Sequence, residues 1–357
     1  MKFVTVVGAR PQFIKLAPIS RALRAAGLDE IIVHTGQHYD ENMSHAFFVE
    51  LDIPKPDYNL EIGSGTHGAQ TGKMLAAIEE VLERERPDGA LVIGDTNSTL
   101  AGALAAVKLH IPVAHVEAGL RGFDRSIPEE INRLVTDHVS SRLYCSTERS
   151  VQWLRDEGIT RGVELVGDVM YDLLLQMRPR IAERTPALLA DMGVERGGYT
   201  VVTMHRPSNT DDPDTLRRII GGLDRLGDLV IFPMHPRTRH SLARFGITPG
   251  DHLRIIEPLG YIDMLALMAS AARVVTDSGG LQKETFLLGV PCITLRDRTE
   301  WLETVEVGWN TLVATDPDAL LAAWRKPTPP MPTSNPFGKG NASQLIADDL
   351  RSLPDAL

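Results

Sequence analysis

Cysteine and long apolar runs are scarce in this sequence of 357 residues. Its two cysteines, Cys145 and Cys292, stand far apart, which favours a reduced cytosolic protein over a disulfide framework. The first apolar run, Phe3 to Val7, stops at Gly8, far short of the core of a signal peptide. No later run approaches the length of a membrane span. We therefore expect a cytoplasmic enzyme that binds no membrane.

The sequence also lacks any run of lysine or arginine. Its 37 basic and 47 acidic residues give a net charge of −10, which argues against a nucleic-acid partner. An anionic ligand must therefore be bound by local positive groups. The length favours two domains over one.

Short apolar runs ending in Gly, Asp or Ser alternate with longer amphipathic stretches through both halves. The strand candidates are Phe3 to Val7, Ile31 to His34, Ala90 to Ile93, Val113 to Val116, Arg142 to Cys145, Thr200 to Thr203, Leu229 to Phe232, Arg273 to Val275 and Pro291 to Thr294. This alternation predicts an α/β protein with doubly wound parallel sheets, and two such sets predict two Rossmann-like domains. A boundary is expected near Gly167, and the prolines between Pro327 and Pro336 exclude regular structure there.

The most informative motif is a strand, Arg273 to Thr276, that runs into Asp277-Ser278-Gly279-Gly280 and then into a predicted helix. Two glycines at a helix start expose backbone N–H groups at the positive end of the helix dipole, where a phosphate binds well. Glu284 lies one turn past Gly280 and can accept hydrogen bonds from the hydroxyls of a sugar. The motif predicts a nucleotide held by its phosphates and ribose.

Ligands of parallel sheets bind beyond the carboxyl ends of the strands. In the first half, charged residues follow three strand candidates: Arg10 and Lys15, Asp95, and Glu117. Taken singly, these residues are interpreted as helix caps, because Asp95 and Thr96 are good N-cap residues. Together they predict a functional rim, because charges of both signs seldom converge for capping alone.

Two further segments carry candidate residues. Glu129 and Arg133 stand four apart after Pro128, and the pattern fits either a site or ordinary compensation of a helix dipole. His205 follows the strand that opens the second domain, from which its side chain could reach the expected cleft. His235 follows a later strand and is a weaker candidate for a functional residue.

Three other motifs are rejected. The string Gly63 to Gly68 matches G-x-G-x-x-G but follows a poor, polar strand and lacks the acid expected about 20 residues later. The residues on both sides of Gly72-Lys73 differ from those that the P-loop sequence motif requires. His34 and His38 do not share a helix face, so we expect no metal.

The chain resembles the non-hydrolysing UDP-N-acetylglucosamine 2-epimerases over nearly its whole length. The motifs that carry the resemblance are Gly8-Ala9-Arg10-Pro11, Gly36-Gln37-His38, Gly94-Asp95-Thr96, His115 to Arg121, Pro128 to Arg133, Thr276 to Gln282 and Asn335-Pro336-Phe337-Gly338. The resemblance implies the GT-B fold, with the active site in a cleft between domains 1–167 and 168–342, and a final helix 343–357 that returns to the first domain. It also implies a homodimer.

The resemblance assigns roles residue by residue. Contacts with UDP fall to Arg10, to Ser278, Gly279 and Gly280 at the diphosphate, and to Glu284 at the ribose. The residues around the sugar and phosphates are Asp95, Glu117, Glu129, Arg133, Lys15 and His205, of which Asp95, Glu117, Glu129 and His205 are the catalytic candidates. No cofactor is expected.

The family's chemistry explains this set. The C2 hydrogen of the sugar has no adjacent carbonyl to acidify it, so the implied route is elimination: a base removes the C2 proton while UDP leaves C1. UDP then adds back to the 2-acetamidoglucal and the proton is delivered to the other face. The implied product is UDP-N-acetylmannosamine, a precursor of cell-surface polysaccharides.

Departures from the family pattern leave alternatives open. Gln12 replaces Glu in the opening motif, Trp301 replaces an Arg near the nucleotide, and the segment from Gly36 to Asp40 lacks the Arg and Met of an activator site. A 2-epimerase for a modified sugar, such as UDP-2,3-diacetamido-2,3-dideoxyglucuronate, is the main alternative, because related enzymes share the Ala-Arg-Pro-Gln opening. A GT-B glycosyltransferase would share the UDP cradle but would not need the carboxylates. A non-catalytic nucleotide-sugar sensor would not need them either.

Overall fold

The computed structural model describes residues 1–37, 50–330, 332 and 334–352. The chain divides into two compact units. Unit 1 comprises Met1–Gln176 and the segment from Asn335 onward, and unit 2 comprises Met177–Ser334. The boundary expected near Gly167 therefore precedes the observed division, which falls inside a long helix, and the chain re-enters unit 1 before the expected residue 343.

Each unit contains one parallel sheet, as the alternating sequence pattern predicts. The strands are β1 Lys2–Val7, β2 Asp29–His34, β3 Tyr58–Asn59, β4 Gly89–Ile93, β5 Val113–Ala118, β6 Arg142–Cys145, β7 Val163–Leu165, β8 Tyr199–Thr203, β9 Leu229–Pro233, β10 Leu253–Ile256, β11 Arg273–Thr276, β12 Cys292–Thr294 and β13 Asn310–Leu312. The seven-stranded sheet of unit 1 has the order β3-β2-β1-β4-β5-β6-β7, and the six-stranded sheet of unit 2 has the order β10-β9-β8-β11-β12-β13. The doubly wound α/β class is confirmed.

Helices connect the strands. They are α1 Arg10–Ala25, α2 His67–Glu85, α3 Asn97–Lys108, α4 Pro128–Val139, α5 Glu148–Asp156, α6 Val169–Met192, α7 Pro207–Thr210, α8 Pro213–Leu223, α9 Pro236–Phe245, α10 Tyr261–Ala269, α11 Gly279–Leu288, α12 Leu302–Glu306, α13 Pro317–Trp324 and α14 Ala342–Ser352. Among the described residues, no helix is long and apolar enough to cross a membrane.

Strand order places the candidate residues. In both sheets the order reverses beside the first strand of the unit, between β1 and β4 and between β8 and β11. Ligands of open parallel sheets bind at such switch points, beyond the carboxyl ends of the strands. The loops that carry Arg10 and Asp95 lie at this position in unit 1, and the loops that carry His205 and Ser278 lie at it in unit 2.

Helix α3 packs closely against the sheet beside the switch point of unit 1. The helix presents small residues to the sheet, among them Ala101 and Gly102, and a Cβ at Gly102 would lie 3.1 Å from side-chain atoms of Val6 and Val92. The small side chains let the helix pack directly on β1 and β4, with almost no void between buried valines. Its N-terminal loop, with Asp95, is thereby held against the strand ends.

The C-terminal helix α14 belongs to unit 1 and packs against α1. Asp172 of α6 caps it by accepting hydrogen bonds from the amides of Ala342 at 3.0 Å and Ser343 at 2.6 Å. Burial raises the pKa of the Asp172 carboxyl group. Residues 353–357 of the expected helix lie outside the described residues.

Candidate active site

Lys15 and Glu117 form a buried ion pair at the carboxyl ends of β1 and β5. Lys15 Nζ, on the second turn of α1, donates to Glu117 Oε2, and both side chains are about nine-tenths buried. Gly94, at the end of β4, lies between them: a Cβ there would be 3.4 Å from Lys15 Nζ and 3.6 Å from Glu117 Oε2. The structure thus brings together two of the residues that the sequence assigned to one rim.

Glu117 lies on an irregular part of β5. The pairing of β5 with β6 shifts register between Val116 and Ala118, and Glu117 has a φ of +69°. A bulge of this kind re-aims a side chain. A positive φ on a residue other than glycine costs free energy and persists where surrounding contacts enforce it, which is typical of functional sites.

Asp95 is held by α4. Its Oδ2 accepts from Arg133 Nε at 3.0 Å and Nη2 at 2.6 Å, and its backbone carbonyl accepts from Asn132 Nδ2 at 2.9 Å. The alternative reading as a helix cap applies to Thr96, whose hydroxyl accepts from the amide of Thr99 at 3.3 Å. Asp95 retains 28% exposure of its side chain, so its carboxylate is both oriented and accessible.

Glu129 and Glu130 stand in different environments at the start of α4. Glu129 is exposed, whereas Glu130 is buried and accepts from the amides of Gly122 and Phe123, both at 2.9 Å. Glu130 also accepts from Arg133 Nη1 at 2.9 Å. The sequence pattern did not single out Glu130, because two adjacent acids at a helix start cannot be told apart until the rotation of the helix is known.

Gln12 shapes the loop that carries Arg10. Its Oε1 accepts from the amides of Gly8 at 2.8 Å and Ala9 at 3.0 Å, and its Nε2 donates to the carbonyl of Ile93 at 2.9 Å. The amide side chain therefore joins the ends of β1 and β4, which accounts for a glutamine where the family motif has glutamate. Arg10 is the first residue of α1 and is partly buried.

The segment that the sequence analysis compared with an activator site is described only in part. Gln37 Oε1 accepts from the amide of Ser98 at 3.1 Å and from its hydroxyl at 2.7 Å. His38, Tyr39 and Asp40 lie outside the described residues.

In unit 2, Ser278 is the N-cap of α11, and the amides of Gly279 and Gly280 open its first turn. The first N–H groups of a helix have no partner within the helix and suit an anion. Arg296 adds a cation nearby, because its Nη1 lies 3.9 Å from the position that a Gly279 Cβ would occupy. Arg296 is itself buried and pairs with Glu300 through contacts of 3.1 and 2.9 Å.

Glu284 is held by a tyrosine at the start of α10. It is buried on α11 and accepts from the Tyr261 hydroxyl at 2.8 Å. Gln282, on the same helix, is fully buried and accepts from Thr299 at 2.6 Å and Asn310 at 2.9 Å. Neither Tyr261 nor Gln282 was predicted, since nothing in their local sequence marks a contact with a distant element.

His205 is fixed by Asp277. The fully buried Asp277 carboxylate accepts from the amides of His205 and Arg206 at 3.0 and 2.9 Å, and its Oδ1 lies 3.1 Å from His205 Nδ1. Burial alone would raise the pKa of Asp277, but the hydrogen bonds and charge of His205 and the backbone amides lower it. A charged carboxylate can only accept, so His205 Nδ1 carries a proton and Nε2 is the distal nitrogen.

Comparison with known proteins agrees with this geometry. The model of the family described as UDP-N-acetylglucosamine 2-epimerase matches residues 21–351. The chain belongs to this family.

Relatives within the family match over full length. A UDP-N-acetylglucosamine 2-epimerase homolog of Methanococcus maripaludis is 51% identical over 99% of this chain and 100% of its own. The UDP-2,3-diacetamido-2,3-dideoxy-D-glucuronate 2-epimerase of Pseudomonas aeruginosa is 46% identical over 99% and 100%. The crystal structure of Methanocaldococcus jannaschii UDP-GlcNAc 2-epimerase in complex with UDP-GlcNAc and UDP superposes with a TM-score of 0.90, at 46% identity over 98% of this chain and 99% of that chain.

In this member of the UDP-N-acetylglucosamine 2-epimerase family, Trp301 is in contact with a buried lysine. Trp301 stands where many members have arginine, and Lys283 Nζ lies 3.9 Å from the centroid of its ring. Both side chains are buried, so a cation–π contact stabilises the lysine. Arg296, five residues earlier in the same loop, is the cation that lies beside the glycines.

Proposed function

We propose that this protein is a non-hydrolysing UDP-N-acetylglucosamine 2-epimerase, an isomerase that interconverts UDP-N-acetylglucosamine and UDP-N-acetylmannosamine. The observation that carries the proposal is the pair of acids on adjacent strand ends, Asp95 held by Arg133 and Glu117 held by Lys15 on a strained bulge. A sugar-binding protein without proton chemistry has no use for such a pair. Family membership and the likeness to a structure that contains UDP-GlcNAc and UDP support the same substrate.

The carboxylates serve the proton transfers at C2 of the sugar, which are the difficult part of the reaction. Removing the C2 proton while UDP leaves C1 requires a base, and returning a proton to the other face of C2 requires an acid. Asp95, Glu117 and Glu129 are the groups we propose for these transfers. The Lys15 ammonium stabilises the negative charge of Glu117, and Arg133 does so for Asp95.

Unit 2 handles the leaving group. Ser278 and the amides of Gly279 and Gly280 bind the diphosphate, and Glu284 binds the ribose hydroxyls. Arg10 of unit 1 and His205 stabilise the negative charge that develops as the C1–O bond breaks. UDP must stay bound until it adds back, which explains a cradle of fixed backbone donors in place of flexible side chains.

Exchange of the C2 hydrogen tests the proposal. The protein is incubated with UDP-N-acetylglucosamine in D2O and followed by NMR, and we expect deuterium at C2 together with the manno isomer. Asp95→Asn and Glu117→Gln should abolish exchange while calorimetry shows that UDP still binds. Asp211→Asn, at an exposed acid of unit 2, is the matched control and should exchange normally.

Other outcomes identify the alternatives. Exchange with UDP-2,3-diacetamido-2,3-dideoxyglucuronate but not with UDP-N-acetylglucosamine would move the protein to the specificity named for the Pseudomonas aeruginosa relative. UDP release that depends on an added sugar acceptor would indicate a glycosyltransferase. No exchange with either substrate would contradict an epimerase.

We further propose that the enzyme works as a homodimer in the cytoplasm and supplies precursors of cell-surface polysaccharides. Sedimentation of the purified protein and fractionation of its host cells test the first two points.

A further inference from the structure

A buried network in unit 1 joins the backbone beside Asp95 to the backbone beside Glu117. His115 Nδ1 is hydrogen-bonded to Asp137 Oδ1 at 2.7 Å, and His115 Nε2 donates to the carbonyl of Gly94 at 2.7 Å. The other oxygen of Asp137 accepts from the amide of Gly119 at 3.1 Å and from Arg121 Nη1 at 2.7 Å. We call His115, Asp137 and Arg121 the His115 network.

The charges of this network are defined by its contacts. All three side chains are fully buried, and Arg121 also binds Glu157 through two contacts of 2.7 and 2.6 Å. Burial alone would raise the pKa of Asp137, but hydrogen bonds and charge from His115 and Arg121 lower it. The carbonyl of Gly94 can only accept, so His115 Nε2 carries a proton, while Nδ1 is hydrogen-bonded to the Asp137 carboxyl group.

The contacts of the network fall on the backbone beside each acid. Gly94 immediately precedes Asp95, and Gly119 follows Glu117 by two residues, just beyond the register shift. His115 lies two residues before Glu117 on the same strand. The strained conformation of Glu117, with a φ of +69°, is thus held from both sides by fixed donors and acceptors.

We propose that His115 and Asp137 are positioning residues that hold Asp95 and Glu117 in the geometry needed for proton transfer at C2. The inference rests on the proposed function. His115 has no exposed surface and acts only through Asp137 and Gly94. A displacement of about 1 Å in a reacting group can cost on the order of 100-fold in rate, so loosening this network should lower kcat.

Paired substitutions test the role. In His115→Gln the side chain can donate only through its amide nitrogen, so it cannot donate to both the Asp137 carboxylate and the carbonyl of Gly94, and one of these hydrogen bonds is lost. In the double variant with Asp137→Asn, the Gln oxygen accepts from the Asn side-chain nitrogen, the Gln nitrogen donates to the carbonyl of Gly94, and the Asn oxygen still accepts from Gly119 and Arg121. We expect His115→Gln to lower kcat about 100-fold with little change in KM, and the double variant to recover about tenfold.

Each rate is divided by the number of UDP sites found by calorimetry, because the proposed UDP contacts include Arg10 of unit 1 as well as residues of unit 2, so that only molecules with both units folded bind UDP fully. His240→Gln, at an exposed histidine of α9, is the matched control. An unchanged kcat per site in His115→Gln, or a double variant no better than the single one, would overturn the positioning role. Inactivity of the unmodified protein would instead overturn the proposed function.

A spectroscopic measurement is independent of activity. Nitrogen-15 NMR of the labelled protein should show a hydrogen-bonded ring N–H of His115 that exchanges slowly with solvent. The resonance is assigned by its loss in His115→Gln. A ring N–H that exchanges freely with solvent would contradict the inference.

Discussion

The ion pair of Glu117 with Lys15 stabilises two charges at a place from which water is largely excluded. Each charge would be costly to bury alone, and the pair is about nine-tenths buried. The positive φ of Glu117 adds a cost on the order of 1–3 kcal/mol. The surrounding contacts must offset these costs for Glu117 to keep this conformation.

Removing the lysine should therefore destabilise the protein. We expect Lys15→Met to lower the free energy of unfolding by about 3 kcal/mol, because the Glu117 charge stays buried without the ammonium group. Combining it with Glu117→Gln should recover part of that loss, since the uncompensated charge is then gone. Urea unfolding measures both variants. Lys2→Met, which breaks a more exposed pair with Glu85, should cost less than about 1 kcal/mol. Equal losses in Lys15→Met and Lys2→Met would contradict this account.

Helix α4 is the element that organises the candidate site of unit 1. Within three turns it supplies Asn132 and Arg133 to Asp95, Glu130 to the loop after β5, and Asp137 to the His115 network. Pro128 and two acids at its N-terminus favour a helix start there. The helix thus carries Glu129 and contacts the surroundings of both Asp95 and Glu117.

Arginine at position 133 is required by geometry as well as charge. Arg133→Lys keeps the charge but loses the planar group that reaches Asp95 and Glu130 together. We expect kcat to fall about tenfold with the UDP dissociation constant unchanged, as steady-state kinetics and calorimetry can show. Arg155→Lys, at an exposed position of α5, serves as control. If Arg133→Lys weakened UDP binding and left kcat intact, Arg133 would be a nucleotide contact instead.

At the scale of the whole molecule, buried carboxylates with lowered pKa values link the fold to acid stability. The pKa of Asp277 is below its ordinary value of 3.8 in the folded protein. Its contribution to the free energy of unfolding is therefore fully present above about pH 4 and is lost as the pH falls through the folded value.

Replacing Asp277 should make the free energy of unfolding depend less on pH in the acid range. We expect Asp277→Asn to be less stable at pH 7 and to lose less stability than the unmodified protein as the pH falls below about 4. Urea unfolding followed at several pH values measures the slope. An identical slope in both proteins would show that Asp277 contributes nothing to acid unfolding. Asp214→Asn, at an exposed acid of α8, controls for the change in net charge.

The sequence predicted the main strands of both sheets but not their edges. The observed β10 and β13 were not predicted, and Tyr58–Asn59, set aside as part of a polar strand, forms β3. All three are edge strands of their sheets, where one side is less covered and an apolar run is not required. Edge strands are defined by the partner they pair with, which local sequence does not contain.

The sequence by itself determined the alternation of strands and helices, because apolar periodicity and glycine breaks are local properties. For the same reason it determined which candidate residues come at or just after the ends of strands: Arg10, Asp95, Glu117, His205 and Ser278. Only the tertiary structure decided which side chains meet: Lys15 with Glu117, Arg133 with Asp95 and Glu130, and Asp137 with His115. Those pairings depend on strand order, on a register shift in β5 and on the rotation of α4. Each of these is set by packing between segments far apart in the chain.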